Sequence, residues 1–373
     1  MLFIDWYLPG FKAGGPIRSV ANMVTALRDE YEFLVVTRNT DYTSAEPYTG
    51  IISDAWNDGP NGEKIYYFSE GQLNRKNLRR LIADTDFDMV YINGIYSWNF
   101  SILPLILCRK YGAKKRIIVA TRGMLAESAI EVKSGKKKLF LNLARFAGIY
   151  KNVVFHATNE IEASDIQKAI HASAKILVAD NFPVKRIIPV SRLSKKKKDS
   201  LRMVCIARVA PEKNIDFGIS VMADAWATPM SMDVYGPIYD LNYSEKCMDM
   251  ARHLPAGIEV DFRGPVEPKH IPSLLMEYDL LFFPTRGENF GHVIIESLMS
   301  GTPVLTSDQT PFKNAGGVES VALNPVLMKE ALLRWYRMGN EEHQHHINAA
   351  LAEARKKNDT SPLVERYRLL LGK

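Results

Sequence analysis

The stretch from Asp279 to Asp308 leaves the chain few folds to choose from. The apolar run Leu280-Leu281-Phe282-Phe283 stops at Pro284 and reads as a buried strand of a parallel sheet. A polar turn follows, Thr285-Arg286-Gly287-Glu288-Asn289. The pattern then predicts a helix from about Gly291 to Ser300, ended by Gly301 with Pro303 just beyond. Val304-Leu305-Thr306 resumes as a second strand, so the whole is a βαβ unit. Ligands of such sheets sit at the carboxyl ends of the strands, where a helix start points. Backbone N–H groups of Phe290, Gly291 and His292 at that start suit a phosphate. Glu288 on the loop and Glu296 on the helix flank it. Carboxylates repel phosphate but accept hydrogen bonds from hydroxyls, so the pattern fits a phosphate carried between two hydroxyl-bearing rings, as in a sugar nucleotide.

At 373 residues the chain exceeds what one core supports, which predicts two domains. An apolar fraction of 46% and a charged fraction of 24% are those of a soluble globular protein. Cys108, Cys205 and Cys247 lie far apart with no C-x-x-C spacing, as in a reducing compartment. Leu2 to Ile4 already reads as a strand, with no basic segment ahead of it to mark a signal peptide. No apolar run approaches the ~18 residues of a membrane span. The expected location is cytoplasmic. The net charge of +6 is concentrated in Lys195 to Lys198, Lys136 to Lys138, and Lys114-Lys115-Arg116. Each cluster reads as solvated surface, or as attraction to an anionic surface, either the inner membrane leaflet or a lipid pyrophosphate. Nucleic acid is not an expected partner, because no aromatics interleave and no binding motif accompanies the clusters.

Strand and helix alternate twice. The first series runs through Leu2–Ile4, Phe33–Thr37, Met89–Ile92, Arg116–Ala120, Val153–Ala157 and Lys175–Val178. Gly14-Gly15-Pro16 opens a helix to about Glu30, and residues 41–62 read as a long loop. Pro189 to Ser200, with four consecutive lysines, reads as a solvated joint. The second series holds Met203–Ile206, Ser231–Tyr235, Ile258–Phe262, Leu280–Phe283 and Val304–Thr306. The expected domains are residues 1–190 and 200–355, with 356–373 as a C-terminal helix returning to the first domain.

Arg208 stands at a strand end and Lys213 five residues later, so both can reach one crevice and neutralise a diphosphate. The motif R-V-x-P-E-K-N over 208–214, followed by G-E-N-F-G-x-x-x-x-E-S-L-x-x-G-T-P-V over 287–304, resembles the retaining glycosyltransferases of family 4. The likeness extends to Val234-Tyr235-Gly236 and Phe262-Arg263-Gly264, and more loosely to Gly14-Gly15-Pro16 and Thr158-Asn159-Glu160. It implies an α/β fold of two Rossmann-like domains facing across a cleft, the GT-B fold. A hexose would pass from a nucleotide-diphosphate sugar to a glycan acceptor, lipid-linked, in bacterial surface polysaccharide synthesis at the inner face of the plasma membrane. Arg208, Lys213 and Glu288 would carry the chemistry. The first two would hold the pyrophosphate, and Glu288 the donor hexose. Gly14, Gly15, Arg122, Gly236, Asn289, Phe290, Gly291, His292 and Glu296 would bind the donor, with Glu296 on the ribose. The nucleotide sugar is substrate, and neither a cofactor nor a metal is implied.

One departure is Thr121-Arg122-Gly123, where many relatives carry Thr-x-His. Arg122 is expected on the donor sugar or the acceptor. Asp84, Asp86 and Asp88 read as a solvated turn before a strand, not as a metal motif. His343, His345 and His346 read as a solvated helix face, and His156 as structural. Ser97-Trp98-Asn99-Phe100 follows a strand end and either stacks on an acceptor sugar or packs internally. The rival functions are a sugar-nucleotide epimerase and a non-catalytic carbohydrate-binding protein. The first needs an acid–base pair that no residues here supply, and the four charged residues argue against the second.

Overall fold

Two parallel sheets organise the chain, each the centre of its own compact unit. The computed structural model describes residues 1–111, 115–126, 134–225 and 228–372. Lys114 of the third basic cluster and Lys373 at the end of the returning segment lie outside them. The expected α/β architecture of two Rossmann-like units is present. The first unit comprises Met1–Phe182 with Thr360–Lys373, and the second comprises Pro183–Asp359.

The first sheet takes the strands β1 Leu2–Phe3, β2 Leu34–Arg38, β3 Trp56–Asp58, β4 Lys64–Phe68, β5 Met89–Asn93, β6 Arg116–Ala120, β7 Val154–Ala157 and β8 Lys175–Val178. Their order is β3-β4-β2-β1-β5-β6-β7-β8, and only β3 runs antiparallel to its neighbour. β3 lies within the stretch expected to be a loop, and β4 was not foreseen. Trp56 and Tyr66 meet edge to face, with ring centroids 5.4 Å apart, and so register this hairpin. The helix Ser361–Leu371 buries Tyr367, Leu370 and Leu371 in the core of this unit, and Arg368 forks onto Glu30 at 2.7 and 2.9 Å.

The second sheet takes β9 Leu201–Ile206, β10 Met230–Tyr235, β11 Ile258–Gly264, β12 Leu280–Phe283, β13 Val304–Ser307 and β14 Val318–Val321. All its pairings are parallel, in the order β11-β10-β9-β12-β13-β14. β12 is buried at every position, as its unbroken apolar run demands.

Two expectations of solvated charge fail here. Lys196 is only 3% exposed, with Nζ donating to the carbonyls of Lys197, Ser200 and Tyr336. Arg192 gives hydrogen bonds to the carbonyls of Met276, Tyr278 and Gly301. Residues 189–200 are therefore fastened to the second unit, because long cationic chains can reach carbonyls left unpaired at helix ends. His343 is likewise buried, bonded to the Ser194 hydroxyl at 2.7 Å and the Asp279 carbonyl at 2.8 Å. Burial holds its imidazole below the usual pKa, so it is a neutral strut and not part of a wet face.

Candidate active site

In the second sheet the strand order reverses between β9 and β12, the position where an open α/β sheet opens a crevice at its carboxyl end. The loops leaving those two strands are joined there. The N–H of Arg286 and the hydroxyl of Thr285 both donate to the carbonyl of Glu212, at 2.9 and 3.0 Å. Asn214 donates its amide to the Pro284 carbonyl at 3.0 Å and accepts from Arg286 Nε at 2.8 Å. Asn214 can do both because it sits at φ 59°, in the left-handed region that Asn tolerates better than most residues.

Lys213 and Glu288 close the seam with Nζ 2.8 Å from Oε2, at side-chain exposures of 12% and 22%. Burial pushes the Glu288 carboxyl up in pKa, but the Lys213 ammonium, His292 and the N–H of Phe290 outweigh it and hold the group below the ordinary value. Phe290 N–H, expected to await a phosphate, is thus turned to the Glu288 carboxylate. A carboxylate just ahead of a helix start is drawn to that positive end. Lys213 Nζ also lies 5.3 Å from the centre of the Phe283 ring. Arg208 is more open, paired with Glu212 at 3.2 Å and lying 4.5 Å from the Tyr239 ring centre.

The helix His292–Met299 begins one residue later than the sequence suggests, with Gly291 as its N-cap at φ 76°. A Cβ there would come within 2.9 Å of the Phe312 ring, so only glycine fits the turn. Asn289 follows Glu288 on the loop, its N–H 3.2 Å from Glu288 Oε1. Glu296 is buried on the helix. Gly236 ends β10 at φ 153°, where a Cβ would stand 1.8 Å from the Ala207 carbonyl oxygen. Its lack of a side chain serves the close passage of the Arg208 loop.

The first sheet has its own reversal, between β1 and β5. Gly14, at φ 74°, caps the helix Gly15–Leu27, and a Cβ on Gly14 would meet nothing within 4 Å. Near the ends of β1 and β5 lies a cavity of about 310 Å³ lined by Asp5, Gly94, Tyr96, Ser97, Ser101, Met124 and Lys137, with Ile95. Asp5 Oδ1 accepts from Ser97 Oγ at 2.8 Å and more weakly from Arg38 at 3.5 Å. Burial raises the Asp5 pKa, with Ser97 and Arg38 opposing. Ser101 is 3% exposed, and its hydroxyl has no hydrogen-bond partner among the described residues. It lies on a π-helical turn, Trp98–Ile102, a rare geometry found frequently at functional sites. Trp98, on the same turn, is 58% exposed.

Arg122 does not stand out in this crevice as a lone cation. At φ 53° it sends Nε to Asn93 Oδ1 at 2.7 Å, Nη2 to the Tyr91 hydroxyl at 2.8 Å, and Nη1 to Asn181. Tyr91 in turn meets His156 Nδ1 at 2.6 Å. Burial and the charge of Arg122 lower the His156 pKa to about 3, so this ring stays neutral. Beside it Glu162 accepts from Thr121, Gly123 and Thr158, which outweighs burial and holds its carboxyl low. The guanidinium ties β5 and the loop after β6 to the segment after β8.

Residues 190–315 match the sequence model described as "Glycosyl transferases group 1", a span that holds Arg208, Lys213, Glu288 and Glu296. Over that span the chain is similar to the glycosyl transferases group 1 family. It is 20% identical over 230 residues to an uncharacterised 41.2 kDa protein in the cps region of Klebsiella pneumoniae, covering 60% of each chain. It is 23% identical over 302 residues to the UDP-N-acetylglucosamine–peptide N-acetylglucosaminyltransferase GtfA subunit of Streptococcus parasanguinis, covering 74% of this chain and 57% of that one. The chain thus spans 60% and 57% of the length of these curated relatives. Among solved structures, Anabaena HepE in complex with UDP and glucose superposes with a TM-score of 0.73 at 14% identity, covering 99% of this chain and 98% of that one. An α,α-trehalose-phosphate synthase (UDP-forming) from Burkholderia xenovorans gives 0.70 at 11% identity, covering 100% and 99%. The fold is that of these GT-B glycosyltransferase structures.

Within that span, sequence reasoning quoted Asn214 and Arg286 but gave neither a task. Asn214 carried a signal, an Asn directly ahead of a helix, which marks a residue able to take a left-handed turn, and Arg286 carried none. Asp5 and Ser101 left no comparable mark. Their significance comes from a cavity that strand order assembles.

Proposed function

We propose that this protein is a nucleotide-sugar-dependent glycosyltransferase. It would move a hexose, with retained anomeric configuration, from a UDP-sugar to a hydroxyl of a glycan acceptor. The carrying observation is the Lys213–Glu288 pair at the β9/β12 reversal, with Arg208 on the adjoining loop, inside the span similar to the group 1 family. UDP as the donor nucleotide is supported by what HepE and the streptococcal transferase are named as binding or using. A lipid-linked acceptor at the inner membrane face, in surface polysaccharide synthesis, is supported more distantly by the cps-region relative.

The chemistry follows from charge. Breaking the bond between the anomeric carbon and the phosphate oxygen leaves positive charge on the sugar ring and negative charge on the departing diphosphate. Arg208, Lys213 and the first N–H groups of the helix His292–Met299 would stabilise the latter. Until donor arrives, Glu288 and Glu212 hold the two cations in place. A bound diphosphate would take over Lys213, leaving Glu288 to accept from the hexose hydroxyls and Glu296 from the ribose. The acceptor proton would pass to the leaving phosphate on the same face, so no side-chain base, cofactor or metal enters this reading. The first unit would hold the acceptor, with the Asp5 carboxylate and the Ser101 hydroxyl offering hydrogen bonds to its ring.

The test is slow hydrolysis of UDP-glucose or UDP-N-acetylglucosamine without acceptor, followed by UDP release. Turnover by the wild type and its loss in Lys213→Ala support the transferase. A carbohydrate-binding protein would release no UDP, and an epimerase would interconvert the sugars with UDP still attached.

A further inference from the structure

The helix Ser134–Phe146 is apolar on two faces. One face packs into the first unit through Leu141 and Ala144, with Phe140 against the same core. The other carries Leu139, Leu143 and Phe146, spaced so that they line a single stripe, and these are 61%, 59% and 95% exposed. A helix apolar on both sides has normally found a partner for each.

The surroundings of the stripe say which partner fits. From Ser134 to Asn152 the chain holds Lys136, Lys137, Lys138, Arg145 and Lys151 and not one Asp or Glu. Arg145 spends its guanidinium on the carbonyls of Lys168 and Ala169, and Arg109 spends its own on those of Gly148, Ile149 and Lys151. Those partners are neutral, so they fix the far end of the helix to the body without cancelling its charge. Lys137 leans 5.6 Å over the Tyr96 ring at the cavity, on the side away from the stripe. An exposed Leu/Phe ridge on a stretch rich in cations and free of acidic residues matches the boundary between acyl chains and anionic headgroups. A protein groove would leave that charge unanswered unless it were strongly acidic.

We propose that the helix Ser134–Phe146 docks this protein on an anionic phospholipid surface, with Leu139, Leu143 and Phe146 entering the acyl boundary and Lys138, Arg145 and Lys151 on the headgroups. This deepens the membrane part of the functional reading and rests on it only for the meaning of the docking. The whole chain is sedimented with phosphatidylcholine vesicles with and without phosphatidylglycerol. Binding is expected with phosphatidylglycerol, weakened by about tenfold without it. Leu139→Ser/Leu143→Ser/Phe146→Ser should abolish it, and Lys138→Glu/Lys151→Glu should remove the preference for anionic lipid. The substituted side chains are exposed, so thermal unfolding and UDP-sugar hydrolysis by these variants should match the wild type. No vesicle binding by the wild type, equal binding by the triple variant, or a stripe that mediates self-association in place of lipid binding overturns the proposal. Hydrolysis measured on the same samples separates that outcome from failure of the transferase reading.

Discussion

The two sheet reversals of this molecule are built alike and equipped differently. At β9/β12 the loops are joined by five hydrogen bonds and ion pairs, and two cations wait on carboxylates. At β1/β5 the groups are Asp5, Ser97 and Ser101 at an open cavity, with an exposed Trp98 on the Ser101 turn and Arg122 held in a brace. Parallel strands in both units deliver loops to one edge, and side chains alone decide what that edge can hold. The former suits a dianion whose charge grows during reaction. The latter suits neutral hydroxyls that must be oriented.

The sharpest way to break this contrast is Lys213→Ala. If the second unit carries the charge development, UDP-sugar hydrolysis should fall by about 100- to 1,000-fold in kcat, with acceptor KM little changed. Arg208→Ala should cost less, about tenfold, because Arg208 is more exposed and water screens its charge. Equal losses would mean that the closed Lys213–Glu288 pair has no special part. Glu288 also sets a pH limit. Its folded pKa lies below the unfolded one, so its contribution to stability is present above the unfolded value. That contribution is lost as pH falls through the folded value. Glu288→Gln should therefore shrink the acid-side loss of stability measured by denaturant unfolding.

Gly236→Ala asks whether the cationic loop needs its close passage. A Cβ 1.8 Å from the Ala207 oxygen, on a backbone at φ 153°, cannot be accommodated without displacing the Arg208 loop. Destabilisation of about 2–4 kcal/mol is expected in thermal or urea unfolding. Wild-type stability in this variant would show that the loop yields freely, and the picture of a preset site would fall.

How far these regions could be read in advance follows their physics. The unit around Glu288 was legible because a doubly buried strand must be continuously apolar, and because Pro284, Gly301 and Pro303 mark its turns. β14, with the sequence Val-Glu-Ser-Val, carries no such run, and the run of β4, Ile65 to Phe68, is half tyrosine and borders a polar stretch, so neither stood out. The partners of Lys196 defeat local reading in another way. One of its carbonyls belongs to Tyr336, 140 residues on, so composition alone called a buried clamp a wet linker. Asp5 and Ser97 are 92 residues apart for the same reason. Charge chemistry near one loop is visible in a motif, while a cavity lined by Asp5, Ser97 and Ser101 is assembled by topology.

The smallest effects should come from the first unit, and there the sign is informative. Ser101 keeps a buried hydroxyl with no protein partner among the described residues, which costs stability unless something occupies the cavity. Ser101→Ala should therefore leave the free protein unchanged or stabilise it by up to about 1 kcal/mol. It should also raise acceptor KM several-fold while acceptor-independent hydrolysis stays at the wild-type rate. Asp5→Asn adds a pH handle. Burial raises the Asp5 pKa above its unfolded value, so its favourable contribution is full below the unfolded pKa and is lost as pH rises through the folded one. The Asn variant should be flat in stability across that interval where the wild type declines, and its acceptor KM should lose pH dependence there. A Ser101→Ala protein that is clearly less stable, with acceptor KM untouched, would make the hydroxyl a packing element and leave the β1/β5 end without a ligand role.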